Sequence, residues 1–215
     1  MDTDGKTQRT AGIILAAGSS QRMGQDKLLL ELGGESLVCR AVRVAREAGL
    51  APILVVVRPE ATLVHQQLSA TQARLLTNPR HTEGLKTSLA LAVARLPPSV
   101  HAAVVLLPDM PFVSAEMVRG MLRRHQDRPV PVVTSRYGDV LAPPTLFDRS
   151  VFQRLDESST GKQVAREHSR ESSTLDWPAW RLTDLDTPED YARVRAQFDA
   201  LDGAARIPVA STRAD

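Results

Sequence analysis

Residues 12–27 read GIILAAGSSQRMGQDK, and few folds can accommodate such a run. Ile13-Ile14-Leu15 is an uninterrupted apolar stretch, of the kind that makes a strand buried on both faces. It breaks at Ala16-Ala17-Gly18-Ser19-Ser20, where small side chains let backbone N–H groups come close to a ligand. Two cations follow, Arg22 and Lys27, with Gly24 between them. Strand, small-residue loop and cations together make a cradle for a polyphosphate, because aimed N–H dipoles and positive side chains offset the repulsion between phosphate charges. The loop is not a Walker P-loop, since Gly24 and Lys27 are separated and Leu28 follows the lysine. Nor does it contain the G-x-G-x-x-G of dinucleotide-binding folds.

The remainder alternates apolar runs with helical patterns. Strands are expected at 53–57, 74–77, 102–107 and 130–134, besides the first at 12–16. Helices are expected at 60–69, 84–95, from Ser114 to before Arg128, and from Pro188 to about Leu201. Another should run from Ser36, its N-cap, to Gly49, its C′ residue, with Leu37, Ala41, Val44, Ala45 and Ala48 on one face. Arg40, Arg43 and Arg46 fall on another face, read as solvated. Strands alternating with helices imply an α/β domain whose mostly parallel sheet is covered on both faces. Ligands of such sheets bind beyond the carboxyl ends of the strands. Residues 135–180 look less regular, with Pro143-Pro144 and helical stretches at 149–155 and 163–170, and read as an insertion or lid beside a second substrate.

Two acidic positions bear on metal chemistry. Asp109 directly follows the apolar run ending at Leu107, so its carboxylate belongs at the same sheet edge as Gly18. Pro108 and Pro111 restrict the backbone around it. A hard carboxylate oxygen suits Mg²⁺, which commonly takes one or two carboxylates plus substrate phosphates. In Asp184-Leu185-Asp186-Thr187-Pro188, Asp184 and Asp186 alternate, and either could complete a site with Asp109. Asp186 or Thr187 could equally cap the helix that starts at Pro188. The five histidines are scattered without metal-ligand spacing and read mostly as surface residues.

The pattern L-A-A-G-x-S-x-R-M-G-x-x-K, here Leu15, Ala16, Ala17, Gly18, Ser20, Arg22, Met23, Gly24 and Lys27, resembles the signature loop of the molybdenum cofactor nucleotidyltransferases. LPDMP at 107–111 resembles the metal-binding strand end of their cytidylyl-transferring branch, and DLDTPEDY at 184–191 its C-terminal acidic motif. NPRHTEGLKTSL at 78–89 resembles the nucleotide-side loop, with Asn78, Gly84 and Ser88 at matching places, and PPTLFDRSVF at 143–152 resembles a segment enclosing the second substrate. The resemblance implies a single-domain, Rossmann-like nucleotidyltransferase fold over residues 11–201, with 135–180 on the acceptor side, a flexible N-terminus at 1–10 and a disordered tail at 202–215. It implies Mg²⁺-dependent transfer of CMP from CTP to molybdopterin cofactor, with pyrophosphate released and a client molybdoenzyme as a possible partner. Arg22 and Lys27 would be catalytic. Leu15, Ala16, Ala17, Gly18, Ser19, Ser20, Asn78, Gly84 and Ser88 would bind nucleotide, and Asp109, Asp184 and Asp186 the metal.

Ala-Ala-Gly matches the cytidylyl branch, whereas the guanylyl branch usually has Ala-Gly-Gly; the extra methyl of Ala17 would narrow the pocket against a purine. Gly161-Lys162 departs from the branch's usual Gly-Asp, an anion replaced by a cation, which leaves the acceptor open. Guanylyl transfer, transfer to a sugar or polyol phosphate, and a cofactor-holding chaperone are the rival readings. The net charge of +2 gives no sign of a nucleic-acid partner, and no apolar run is long enough for a membrane span. Residues 1–10 lack a signal-peptide core, and the single cysteine, Cys39, precludes an intramolecular disulfide; a cytoplasmic protein is the expectation.

Overall fold

The computed structural model describes residues 9–18, 26–183, 185 and 187–205, with the backbone alone at 202–205. Chain order is β1 (Arg9–Ala16), β2 (Glu31–Leu32), β3 (Glu35–Ser36), α1 (Leu37–Glu47), β4 (Ile53–Val57), α2 (Thr62–Leu68), β5 (Arg74–Thr77), α3 (Leu85–Val93) and β6 (Val100–Leu106). There follow α4 (Ala115–Asp127), β7 (Val132–Tyr137), β8 (Val140–Asp148), α5 (Gly161–Glu167), β9 (Ser173–Trp177) and α6 (Pro188–Ala205). Seven strands form one sheet in the order β5-β4-β1-β6-β8-β7-β9, and β2 pairs with β3 in a separate hairpin. Only β8 runs against the rest, antiparallel to both β6 and β7. The fold is the mostly parallel α/β sheet that the alternating pattern implies.

The apolar run in β1 is continuous because both faces of that strand are covered. Ile14 and Ala16 pack with Val55, Val104 and the inward sides of α1, α2 and α4. Ile13 and Leu15 pack on the other face with Val56, Val105, Leu89 of α3 and Val164 of α5. A third cluster, Leu30, Leu32, Leu37, Phe112, Leu185 and Val194, fastens α6 to the β2–β3 hairpin and to the loop after β6. The Ser36 hydroxyl accepts from Cys39 N at the start of α1, and Gly49 follows its end with φ +85°, the left-handed conformation that glycine adopts without strain.

Four expectations change. Residues 135–180 are mostly built into the sheet, since β8 and β9 lie there. Pro143-Pro144 obscured β8 because proline is rare inside a paired strand. The ladder accommodates both prolines by a register shift: Thr134 pairs with Thr145 but Ser135 with Ala142. Their carbonyls instead accept from Tyr137 OH at 2.9 Å and Ser135 Oγ at 2.8 Å. Arg40 is not on a solvated face. Its Nε donates to Pro111 O at 3.0 Å and its guanidinium lies 4.7 Å from the centre of the Phe198 ring. His125 is buried, with Nε2 3.1 Å from Asp148 Oδ2. Finally, α6 continues to Ala205, past the expected end near Leu201. No helix among the described residues is long and apolar enough to cross a membrane.

Candidate active site

Parallel pairing of β5, β4, β1 and β6 brings their carboxyl ends to one edge. Thr77 leads there into Asn78, Val57 into Arg58, Ala16 into the Gly18 loop, and Leu106 into the segment bearing Asp109. Leu15, Ala16 and Ala17 are buried, whereas Gly18 is exposed and the space where its Cβ would stand is open. A ligand can therefore approach the backbone at Gly18. Ser19, Ser20, Arg22, Asp184 and Asp186 lie outside the described residues.

Lys27 and Asp109 meet at this edge, with Nζ 2.7 Å from Oδ2. Their side chains are only 14% and 24% exposed, so the pair is partly shielded from solvent. Asp26 starts the single 3₁₀ turn, Lys27–Leu29, by accepting from Leu28 N at 3.2 Å through Oδ1. The loop bearing Asp109 is held by two arginines: Arg40 donates to Pro111 O at 3.0 Å and Arg181 to Phe112 O at 2.9 Å. Burial lowers the Arg40 pKa from its ordinary value, and the like charge of Arg43 adds to the effect. Backbone carbonyls bound by charged donors make a stiff support for a carboxylate that must stand still.

Asn78 and Ser88 lie together and are buried. Asn78 Nδ2 donates to Thr87 Oγ1 at 3.0 Å and to Ser88 Oγ at 2.9 Å, while its Oδ1 accepts from Arg80 N at 2.9 Å. These bonds join β5 to the first turns of α3 and set the shape of the loop between. Gly84, at φ +100°, makes the turn into α3. At the start of α6, Thr187 and Asp190 bond reciprocally. The Thr187 N–H donates to Asp190 Oδ2 and its Oγ1 accepts from Asp190 N, each at 3.1 Å.

Beside β1, between α3, β8 and α5, lies a cavity of about 560 Å³. Leu15, Leu89, Val105 and Phe147 give it an apolar wall, and Lys86, Lys162 and Arg166 reach its margin, where Asp139 is the one acidic residue. Its apolar wall and basic margin suit a body with apolar surface and negatively charged groups. Lys162, singled out as a departure, thus lies at the margin of this cavity.

Asp109 offers the hard oxygen ligand that a small divalent cation needs, but no group of three or more His, Cys, Asp or Glu residues able to hold a metal occurs among the described residues. Mg²⁺ commonly binds through one or two carboxylates and completes its shell with substrate oxygens and water.

Arg58 escaped the sequence reading. It donates to Gly18 O at 3.1 Å and to Asp26 Oδ2 at 2.6 Å. The signal for it was present: it directly follows the apolar run of β4, as Asp109 follows that of β6. Arg40 and Arg181 carried no such signal, because their partners are backbone carbonyls far away in sequence.

Residues 12–175 match the model of the MobA-like NTP transferase domain. The chain is 29% identical over 198 residues to an Opitutus terrae protein named "Probable molybdenum cofactor guanylyltransferase", covering 86% of this chain and 94% of that one. A Synechococcus elongatus protein of the same name is 40% identical over 99 residues, which cover 45% of this chain and 47% of the relative. Among solved structures, Rv0371c from Mycobacterium tuberculosis superposes with a TM-score of 0.77 at 26% identity, over 88% of this chain and 98% of that one. The chain thus belongs to the MobA-like NTP transferase family and is a nucleotidyltransferase.

Proposed function

We propose that the chain transfers CMP from CTP to molybdopterin cofactor and releases pyrophosphate, with Mg²⁺ as its metal. The observation that carries this reading is the meeting of Lys27 with Asp109 beside the open backbone of Gly18. A terminal phosphate oxygen of the acceptor attacks the α-phosphorus of the triphosphate; the new P–O bond forms as the bond to the β-phosphate oxygen breaks, and that electron pair leaves with pyrophosphate. Such a transfer needs positioning and charge neutralisation more than a covalent nucleophile.

The roles divide by place. The backbone from Leu15 to Gly18 edges the base and ribose, with Ser19, Ser20, Asn78, Gly84 and Ser88 also on the nucleotide side. Arg22 and Lys27 neutralise the phosphates. Asp109, with Asp184 or Asp186, holds the metal, which when bound supplies positive charge to the phosphate oxygens. The apolar cavity takes the acceptor, and Lys86, Lys162 and Arg166 draw its negative groups. A molybdoenzyme that receives the product is the partner this reading requires.

CTP is preferred in this reading because the buried methyl of Ala17 takes space that a glycine would leave to a purine. The names of the Opitutus and Synechococcus relatives favour GTP instead, with the same fold and chemistry. Pyrophosphate release measured with Mg²⁺ and CTP, GTP, ATP or UTP, with and without molybdopterin cofactor, decides between them. Release with CTP that requires the cofactor supports the proposal. A preference for GTP overturns the base, and release only with sugar or polyol phosphates overturns the acceptor.

A further inference from the structure

We infer that Arg58 is a positioning residue for nucleotidyl transfer: one guanidinium clasps both ends of the signature loop and thereby places Lys27. The inference rests on the reading above that Lys27 neutralises the phosphates of the triphosphate. Arg58 stands on the first position after β4, next to β1 in the sheet. Its Nη1 donates to Gly18 O at 3.1 Å, at the exit from β1. Its Nη2 donates to Asp26 Oδ2 at 2.6 Å, where the chain turns toward Lys27. Both partners of the ion pair are shielded, at 18% and 13% side-chain exposure.

Asp26 is the joint in this arrangement. Oδ2 takes Arg58 while Oδ1 accepts from Leu28 N, so the carboxylate is fixed from two sides and the 3₁₀ turn is fixed with it. Lys27 is the first residue of that turn, and its Nζ reaches Asp109 at 2.7 Å. A line of contacts therefore runs Arg58–Asp26–Lys27–Asp109 across the ends of three neighbouring strands, β4, β1 and β6. A guanidinium is suited to this task because its donors diverge in a rigid plane, which a lysine ammonium cannot reproduce. Arg58 acts through Asp26 and Gly18, not by touching the phosphates.

The test compares R58Q, R58K and D26N with the wild-type chain, using whichever triphosphate the wild type turns over. Circular dichroism and thermal melting check that each variant is folded. R58Q and D26N should each lower kcat/KM for the triphosphate by about 10- to 100-fold, the scale set by small misplacements of catalytic groups. The KM for the acceptor should stay within about twofold, since neither Arg58 nor Asp26 lines its cavity. R58K should recover part of the loss through the Asp26 pair, and the R58Q/D26N double variant should be no worse than the poorer single one. A second readout needs no activity: trypsin cleavage after Lys27 in substrate-free protein, mapped by mass spectrometry, should be faster in R58Q and D26N. Folded R58Q with near wild-type kinetics and cleavage overturns the inference. So does a D26N variant that binds triphosphate more tightly while R58Q binds it more weakly, because Arg58 would then contact the phosphates directly. A wild-type chain that turns over none of the triphosphates removes the proposed reaction, but the cleavage result would still stand or fall by itself.

Discussion

Lys27 Nζ and Asp109 Oδ2 are 2.7 Å apart, although 82 positions separate the two residues in the chain. One follows β1 and the other β6, and the parallel pairing of those strands is what joins them. The contact pairs a cation with a hard carboxylate oxygen at the sheet edge; under the proposed function, triphosphate and metal would arrive where this ion pair stands. Their opposite charges let each hold the other in place until substrate oxygens take over.

Replacing Asp109 by Asn keeps the shape of this edge and removes the charge. Turnover should fall by about 100-fold or more, because charge complementarity in the transition state is lost. Stability should change by about 1 kcal/mol or less, since partly exposed ion pairs contribute little. Pyrophosphate release and a urea unfolding curve on the same preparation measure both. A folded Asp109→Asn chain with near wild-type turnover would contradict the role assigned to this carboxylate.

Ala17→Gly tests the base. The buried methyl contributes to the layer that includes Leu15 and Leu89, so its removal should destabilise by about 1 kcal/mol, from lost burial and added backbone freedom. If that methyl also limits the base pocket, the ratio of kcat/KM for GTP to that for CTP should rise by about tenfold, the usual scale for a methyl group in a pocket. Parallel assays with the two triphosphates read the ratio directly. A ratio that does not move would place the selection of the base elsewhere.

The sheet could be read from the sequence because its strands are buried on both faces, and such strands announce themselves as apolar runs. Gly18 and Asp109 could be placed at one edge for the same reason. What escaped was of two kinds. β8 carries prolines that argue against a paired strand, and only the shift between Thr134 and Ser135 accommodates them. Arg40, Arg58 and Arg181 reach backbone carbonyls or carboxylates of other segments, and such contacts leave no periodic trace. Helical periodicity put Arg40 on the polar side of α1 without showing that Pro111 and Phe198 wait there.

Lys162 should matter to the acceptor and not to the triphosphate. It is exposed at the margin of the apolar cavity, with Lys86 and Arg166. Lys162→Glu would set an anion against a negatively charged acceptor and should raise the KM for the acceptor by about threefold to tenfold at low salt. Added salt should shrink the difference, and the KM for triphosphate should stay as it was. Steady-state kinetics at two ionic strengths separates this from a general loss of folding, which would affect both substrates.

The start of α6 should make the protein sensitive to acid. Hydrogen bonds from Thr187, and then from Arg193, hold the Asp190 carboxyl below its ordinary pKa. A group depressed in the folded state gives stability that is complete above the unfolded value, near 4, and is lost as pH falls through the lower folded value. Asp190→Asn should therefore destabilise the chain at about pH 6, and the difference from wild type should shrink as the pH falls through the lowered folded value. Because α6 is fastened by Val194 to Phe112, next to the loop bearing Asp109, the same loss should loosen the active edge. Melting temperatures of both chains across this range would reveal it: the two curves should converge on the acid side, and curves that stay parallel would mean that Asp190 is not the group responsible.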